Sequence, residues 1–268
     1  MDSLESLHAR LRLDPVAHLG RKSVRLINSY ELGYEMGRAR WGHPPLKSEL
    51  SGDDFQQWAE QKFHWTAEMG CRQNIFSFAL LFSVDEQSAF DTYFSLREAA
   101  RRGLGSDAAA AEEDCFQPPK DGLLEFIRSE QFRSRPALYI GQPSLDALWA
   151  LCSGFVWAEK DLGVECSGAQ LFTNGFQTWI EARFPFSKGV SWNRTLDFLA
   201  LSDPGRAWSS FYDALDAFAA GCNPDALSKT GEQMLQGITR QILASNPNAS
   251  AEEIAEKFRE TVKNICPI

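Results

Sequence analysis

One offset constrains this chain more than any other feature: shifted by 121 residues, its first half falls onto its second. Pro15 meets Pro136, and Gly20, Ser23, Gly33 and Gly42 meet Gly141, Ser144, Gly154 and Gly163. With no gap, Phe55, Gln56, Trp58, Glu60 and Phe63 then meet Phe176, Gln177, Trp179, Glu181 and Phe184. After a three-residue deletion in the second half, Asp85, Ala89, Phe90, Tyr93 and Phe94 meet Asp203, Ala207, Trp208, Phe211 and Tyr212. A fold that accepts this sequence is expected to use one structural unit twice.

The periodicity inside each copy is helical. Leu145, Leu148, Trp149, Cys152, Phe155 and Val156 recur at the spacing of one buried helix face, and Ser23 and Ser144 stand where N-caps belong. Gly33 and Gly154 fall inside this helix. An interior glycine costs about 1 kcal/mol against alanine, so its recurrence predicts close approach by another helix. A second helix carries Phe176, Trp179, Ile180 and Phe184, with Phe55, Trp58, Ala59 and Phe63 as counterparts, and these aromatics are expected to be core. A third, more apolar helix is expected near 71 to 82 and 191 to 201. Asp85 and Asp203 are expected to cap a fourth.

The expected fold is therefore all-α: two tandem diverged helical modules of about four helices each, plus a C-terminal helical pair. The boundaries are 1–104 for the first copy, 105–121 for an acidic linker, 122–221 for the second copy and 222–268 for the extension. In that extension Pro224 to Ala244 and Ala251 to Ile265 read as helices, the second opened by a capping box from Ser250 to Glu253.

Chemistry-bearing motifs are few. His8, His18, His43 and His64 show no metal-ligand spacing, and His18 aligns with Tyr139, an exchange that fits a packed, polar-tipped ring. The six cysteines form no C-x-x-C pair and read as reduced thiols. No phosphate-binding glycine loop and no nucleophile elbow occurs. Catalytic, metal and cofactor sites are therefore expected to be none. No apolar run approaches the roughly 20 residues of a membrane span, and the first residues do not read as a secretory signal, so a cytoplasmic location is expected. The net charge of −9 argues against nucleic acid as partner. Much of it sits in the linker, where Asp107, Glu112, Glu113, Asp114 and Asp121 face one lysine, Lys120.

The segment from Arg135 to Ala158 resembles the R-P-x-[ML]-Y-[IL]-G opening of a group of bacterial immunity-type proteins from toxin gene neighbourhoods. Arg135, Pro136, Tyr139, Gly141, Gly154, Phe155, Phe176 and Trp179 carry the resemblance; the first copy departs from it at Asp14 and His18. The resemblance implies a non-enzymatic protein that neutralises a cytosol-acting toxin by direct binding. The acidic balance suits a basic partner. The expected contact residues are Glu112, Glu113 and Asp114 of the linker with Glu159, Asp161 and Glu165 at the end of the second copy's first helix. A cytosolic chaperone or adaptor for a secreted effector is the alternative, and an enzyme with an unrecognised helical active site stands third.

Overall fold

Proline and glycine stand at matched places in the two segments that the offset of 121 aligns. Asp14 caps a short helix (α2, Pro15–Leu19) by accepting from the Ala17 backbone N–H at 3.0 Å, and Gly20 ends it at φ 74°. In the second copy the short helix Ala137–Ile140 (α9) is ended by Gly141 at φ 73°. Left-handed φ values are readily reached only by glycine, so both turns depend on that residue.

The computed structural model describes residues 3–48, 50, 52–63, 75–104, 122–164 and 167–220. Among them the protein is all-α, with no strand and one isolated bridge between Ser3 and Lys47. The remaining helices are α1 (Leu4–Leu13), α3 (Val24–Arg40), α4 (Gly52–Phe63), α5 (Ile75–Leu81), α6 (Glu86–Leu104), α7 (Leu123–Arg128) and α8 (Glu130–Ser134). They are followed by α10 (Leu145–Asp161), α11 (Gly168–Arg183), α12 (Trp192–Leu199) and α13 (Pro204–Ala219). No helix among the described residues is long and apolar enough to cross a membrane. The expected helices at 224–244 and 251–265 lie outside the described residues, as does the linker.

Moved by 121, the bounds of α3 become 145–161, which are the bounds of α10. Moved by 118, the first residue of α6 lands on the first residue of α13. Asp85 and Asp203 cap as expected, accepting from the Ser88 N–H at 2.7 Å and the Arg206 N–H at 3.0 Å. Ser23 corrects the expectation. It holds the N-cap position, yet its side chain makes no cap bond and its hydroxyl donates to Glu86 instead.

The chain forms two compact units, Met1–Gln142 with Ala147–Ala169, and Pro143–Asp146 with Gln170–Ile268. In the first, α3 and α10 run in the same direction with backbones in contact. A Cβ placed on Gly33 would overlap the Leu151 carbonyl oxygen, and one placed on Gly154 would overlap the Tyr30 carbonyl oxygen. One turn on, a Cβ on Gly37 would come within 2.8 Å of the Ala158 Cβ. The expected close approach at Gly33 and Gly154 is thus observed, and each of these helices is the other's partner. Tyr30 and Leu151 are themselves matched at the offset of 121, so the two close approaches are reciprocal. Around this pair Leu7, Leu11, Ile27, Phe90, Tyr93, Phe132 and Phe155 are fully or almost fully buried.

The core of the second unit is aromatic. Phe176 packs on Trp192 at 5.6 Å and on Phe211 at 5.9 Å, and Trp192 meets Phe211 at 5.3 Å. Gln177 ties α11 to the start of α12: its side-chain oxygen accepts from the Trp192 N–H and its amide donates to the Val190 carbonyl, both at 2.8 Å. Phe176 and Ile180 are fully buried, but Trp179 is only half-buried, whereas its counterpart Trp58 is 7% exposed. The two tryptophans matched by sequence do not carry equal weight in the core.

Candidate functional site

Carboxylates in the last turn of a helix meet the negative end of its dipole at a cost of about 0.3 to 1 kcal/mol, which a nearby donor or cation offsets. Glu159 and Asp161 stand in the last turn of α10, and both are compensated from within the first unit. Glu159 is 1% exposed, accepting from the Trp41 indole N–H at 3.2 Å and from the Ser167 hydroxyl. Asp161 receives the Arg10 guanidinium at 2.9 and 3.1 Å and the Tyr34 hydroxyl at 2.6 Å, and its side chain is 17% exposed. A buried, hydrogen-bonded Glu159 offers nothing to a partner, which corrects its expected place on a contact surface. Asp161 already has its counter-ion. Charge counting along the sequence cannot see this, because Arg10 lies 151 residues before the acid it neutralises. Glu112, Glu113, Asp114 and Glu165 lie outside the described residues.

Beside this ion pair is a cluster of rings. The His18 Nδ1 is 3.1 Å from the Tyr30 hydroxyl, and its ring centroid is 4.6 Å from that of Trp157. Trp157 is also flanked by Arg10 at 5.6 Å and Lys160 at 4.7 Å. Burial pushes the His18 pKa below its ordinary value, and the positive charge of Arg10 adds to the shift. Tyr139 is also buried, against Phe126 and Phe132, so the packed-ring reading holds at both matched positions. Burial likewise raises the Cys152 thiol, leaving it protonated. His43 is exposed, and His64 lies outside the described residues.

A second polar region lines a cleft of about 230 Å³ in the same unit. Its walls come from Glu5, His8, Ala9 and Arg12 of α1, Leu50, and Phe94, Arg97, Glu98 and Arg101 of α6. His8 is buried, with Nε2 on the Glu31 carboxylate and Tyr93 Oη at 3.5 Å from the same nitrogen. Arg97 bridges to Glu5 at 3.3 Å, while Arg101 and Arg102 hold Glu98. The cleft was not legible in the sequence because its α1 and α6 residues are 82 positions or more apart and form no motif. Among the described residues, no three His, Cys, Asp or Glu side chains gather as metal ligands.

The turn joining α5 and α6 presents the opposite chemistry. Leu81 is 60% exposed, Phe82 51% and Val84 99%. Phe82 does not swing freely: its ring stacks on Phe63 at 5.2 Å, and the Ser83 hydroxyl donates to Thr92 at 2.9 Å. Ile75 and Ala79 are buried positions of α5, one turn apart, whereas Leu81 at its end is exposed. The apolar run in the sequence therefore outlasts the buried face.

No family model, curated protein or solved structure matches the chain.

Proposed function

We propose that this chain is a non-enzymatic binding protein, an immunity protein that neutralises a cytosol-acting bacterial toxin by direct contact. The observation that carries the reading is the α5–α6 turn, where three large apolar side chains within four residues face solvent and one is propped by a buttressing ring. Contiguous apolar exposure of this kind marks interaction sites, and a rigid aromatic anchor loses little entropy on binding. The net charge of −9 supports a basic toxin, since complementary charge speeds encounter. In this reading the turn is the anchor and the linker acids Glu112, Glu113 and Asp114, with Glu165, steer.

The test is protection of cells expressing the toxin encoded beside this gene. The wild type is expected to protect. Val84→Asp, at a side chain 99% exposed and so harmless to the fold, is expected to bind at least tenfold more weakly and to protect poorly. Full protection by Val84→Asp removes the turn from the contact surface. A wild type that binds the neighbouring protein without blocking its activity turns the reading into that of an adaptor, and one that neither binds nor protects removes the immunity reading.

A further inference from the structure

Arginine side chains around a cleft are usually spoken for by carboxylates, and here two of three are. Arg97 is held by Glu5 and Arg101 by Glu98. Arg12 is different. Its guanidinium lies 5.9 Å from the Phe94 ring centroid, meets no carboxylate among the described residues, and belongs to an exposed side chain of α1 that lines the cleft. The wall beneath is apolar, formed by Ala9, Leu50 and Phe94, with Leu50 and Phe94 each 6% exposed. Among the described residues of the lining, Arg12, Arg97 and Arg101 against Glu5 and Glu98 formally leave one positive charge in a chain whose net charge is −9.

We propose that this cleft binds a carboxylate carried on an apolar body the size of one aromatic or aliphatic amino-acid side chain. The carboxylate pairs with the Arg12 guanidinium, whose planar fork matches it in a bidentate way, and Arg97 supplies a second positive charge behind. The apolar body lies on Phe94 and Leu50. The aromatic face already holds Arg12 in place, so the cation needs little further ordering when the anion arrives. A short polar residue at position 12 or a larger side chain at Ala9 would remove the site. The chemistry has two sources, the last residue of a protein chain and a free small carboxylic acid. The proposal stands apart from the toxin-binding reading, because it uses different residues and a different ligand.

The experiment is calorimetric titration of the full chain with three probes: N-acetyl-phenylalanine, its C-terminal amide, and 3-phenylpropanoate. N-acetyl-phenylalanine is expected to bind and the amide, which lacks the charge, to bind at least tenfold more weakly. Arg12→Gln is expected to weaken N-acetyl-phenylalanine about tenfold, the loss of one charge-assisted pair. Arg206→Gln, on the exposed start of α13, is expected to leave binding unchanged. Tighter binding of N-acetyl-phenylalanine than of 3-phenylpropanoate assigns the site to a chain terminus, and the reverse assigns it to a free acid. Equal binding of acid and amide, no binding of either acid, or binding indifferent to Arg12→Gln at an unchanged melting temperature overturns the proposal.

Discussion

His18 shows how much one side chain's setting decides. A free imidazole titrates near pH 6.5, but this one is buried against Tyr30 and Trp157 with Arg10 close by, and its pKa is lowered. Asp14 and Asp161 pull the other way, and Lys160 adds to Arg10. With the folded pKa below the unfolded one, the unfolded chain takes up the proton first as pH falls. The stability held by neutral His18 is thus complete above about pH 6.5 and is lost as pH drops toward the folded value. Urea unfolding at about pH 7.5 and pH 5.5 should show the wild type weakening at the lower pH. His18→Phe, which keeps a ring in the cavity and removes the titrating nitrogen, should lose less over that interval. An identical pH dependence in the two proteins would place the titration elsewhere.

Between elements, the decisive contact is the α3–α10 pair. Its glycines were legible in the sequence because a helix-interior glycine recurring at one offset has few other uses, and helix bounds followed from period and capping signals. What pairs with what was not legible: nothing along the chain says that the partner of α3 is its own counterpart. Gly33→Ala and Gly154→Ala each gain up to about 1 kcal/mol of helix propensity but drive a methyl into a carbonyl oxygen, and overpacking costs about 1 to 3 kcal/mol. Both should lower stability on balance. Gly205→Ala, where a Cβ meets only an Asp203 oxygen at 3.4 Å, should not. Because Gly33 and Gly154 share one interface, the double variant should cost less than the sum of the two. Melting curves of the four proteins decide it; additive effects would mean that the two glycines serve separate contacts. The aromatic pattern was read less evenly. Trp58 and Trp179 align and both lie on helical stripes, but periodicity marks a direction around a helix and not the depth of what covers it, so the half-burial of Trp179 could not be read from it.

At the scale of the whole molecule, the all-α class was fully legible, whereas the surface exposure of the acids was legible only in part. The linker carries its charge excess in plain sight. Glu159 and Asp161 have their partners in Trp41, Ser167, Arg10 and Tyr34, three of which lie more than 100 residues away, so a local count mistakes internal ion pairing for surface charge. The exposure of the α5–α6 turn is not legible in the sequence because an apolar run reads as core. If the remaining linker acids steer a basic partner, then Glu112→Lys, Glu113→Lys and Asp114→Lys together should slow association and flatten its salt dependence while changing dissociation little. The most direct measurement is a titration of the proposed toxin partner, at a concentration well above the dissociation constant, with the purified protein while toxin activity is followed. Toxin activity is expected to fall linearly to zero at one equivalent of wild-type protein and to fall shallowly and incompletely with Val84→Asp. Toxin activity undiminished by an excess of wild-type protein would contradict the proposed neutralisation.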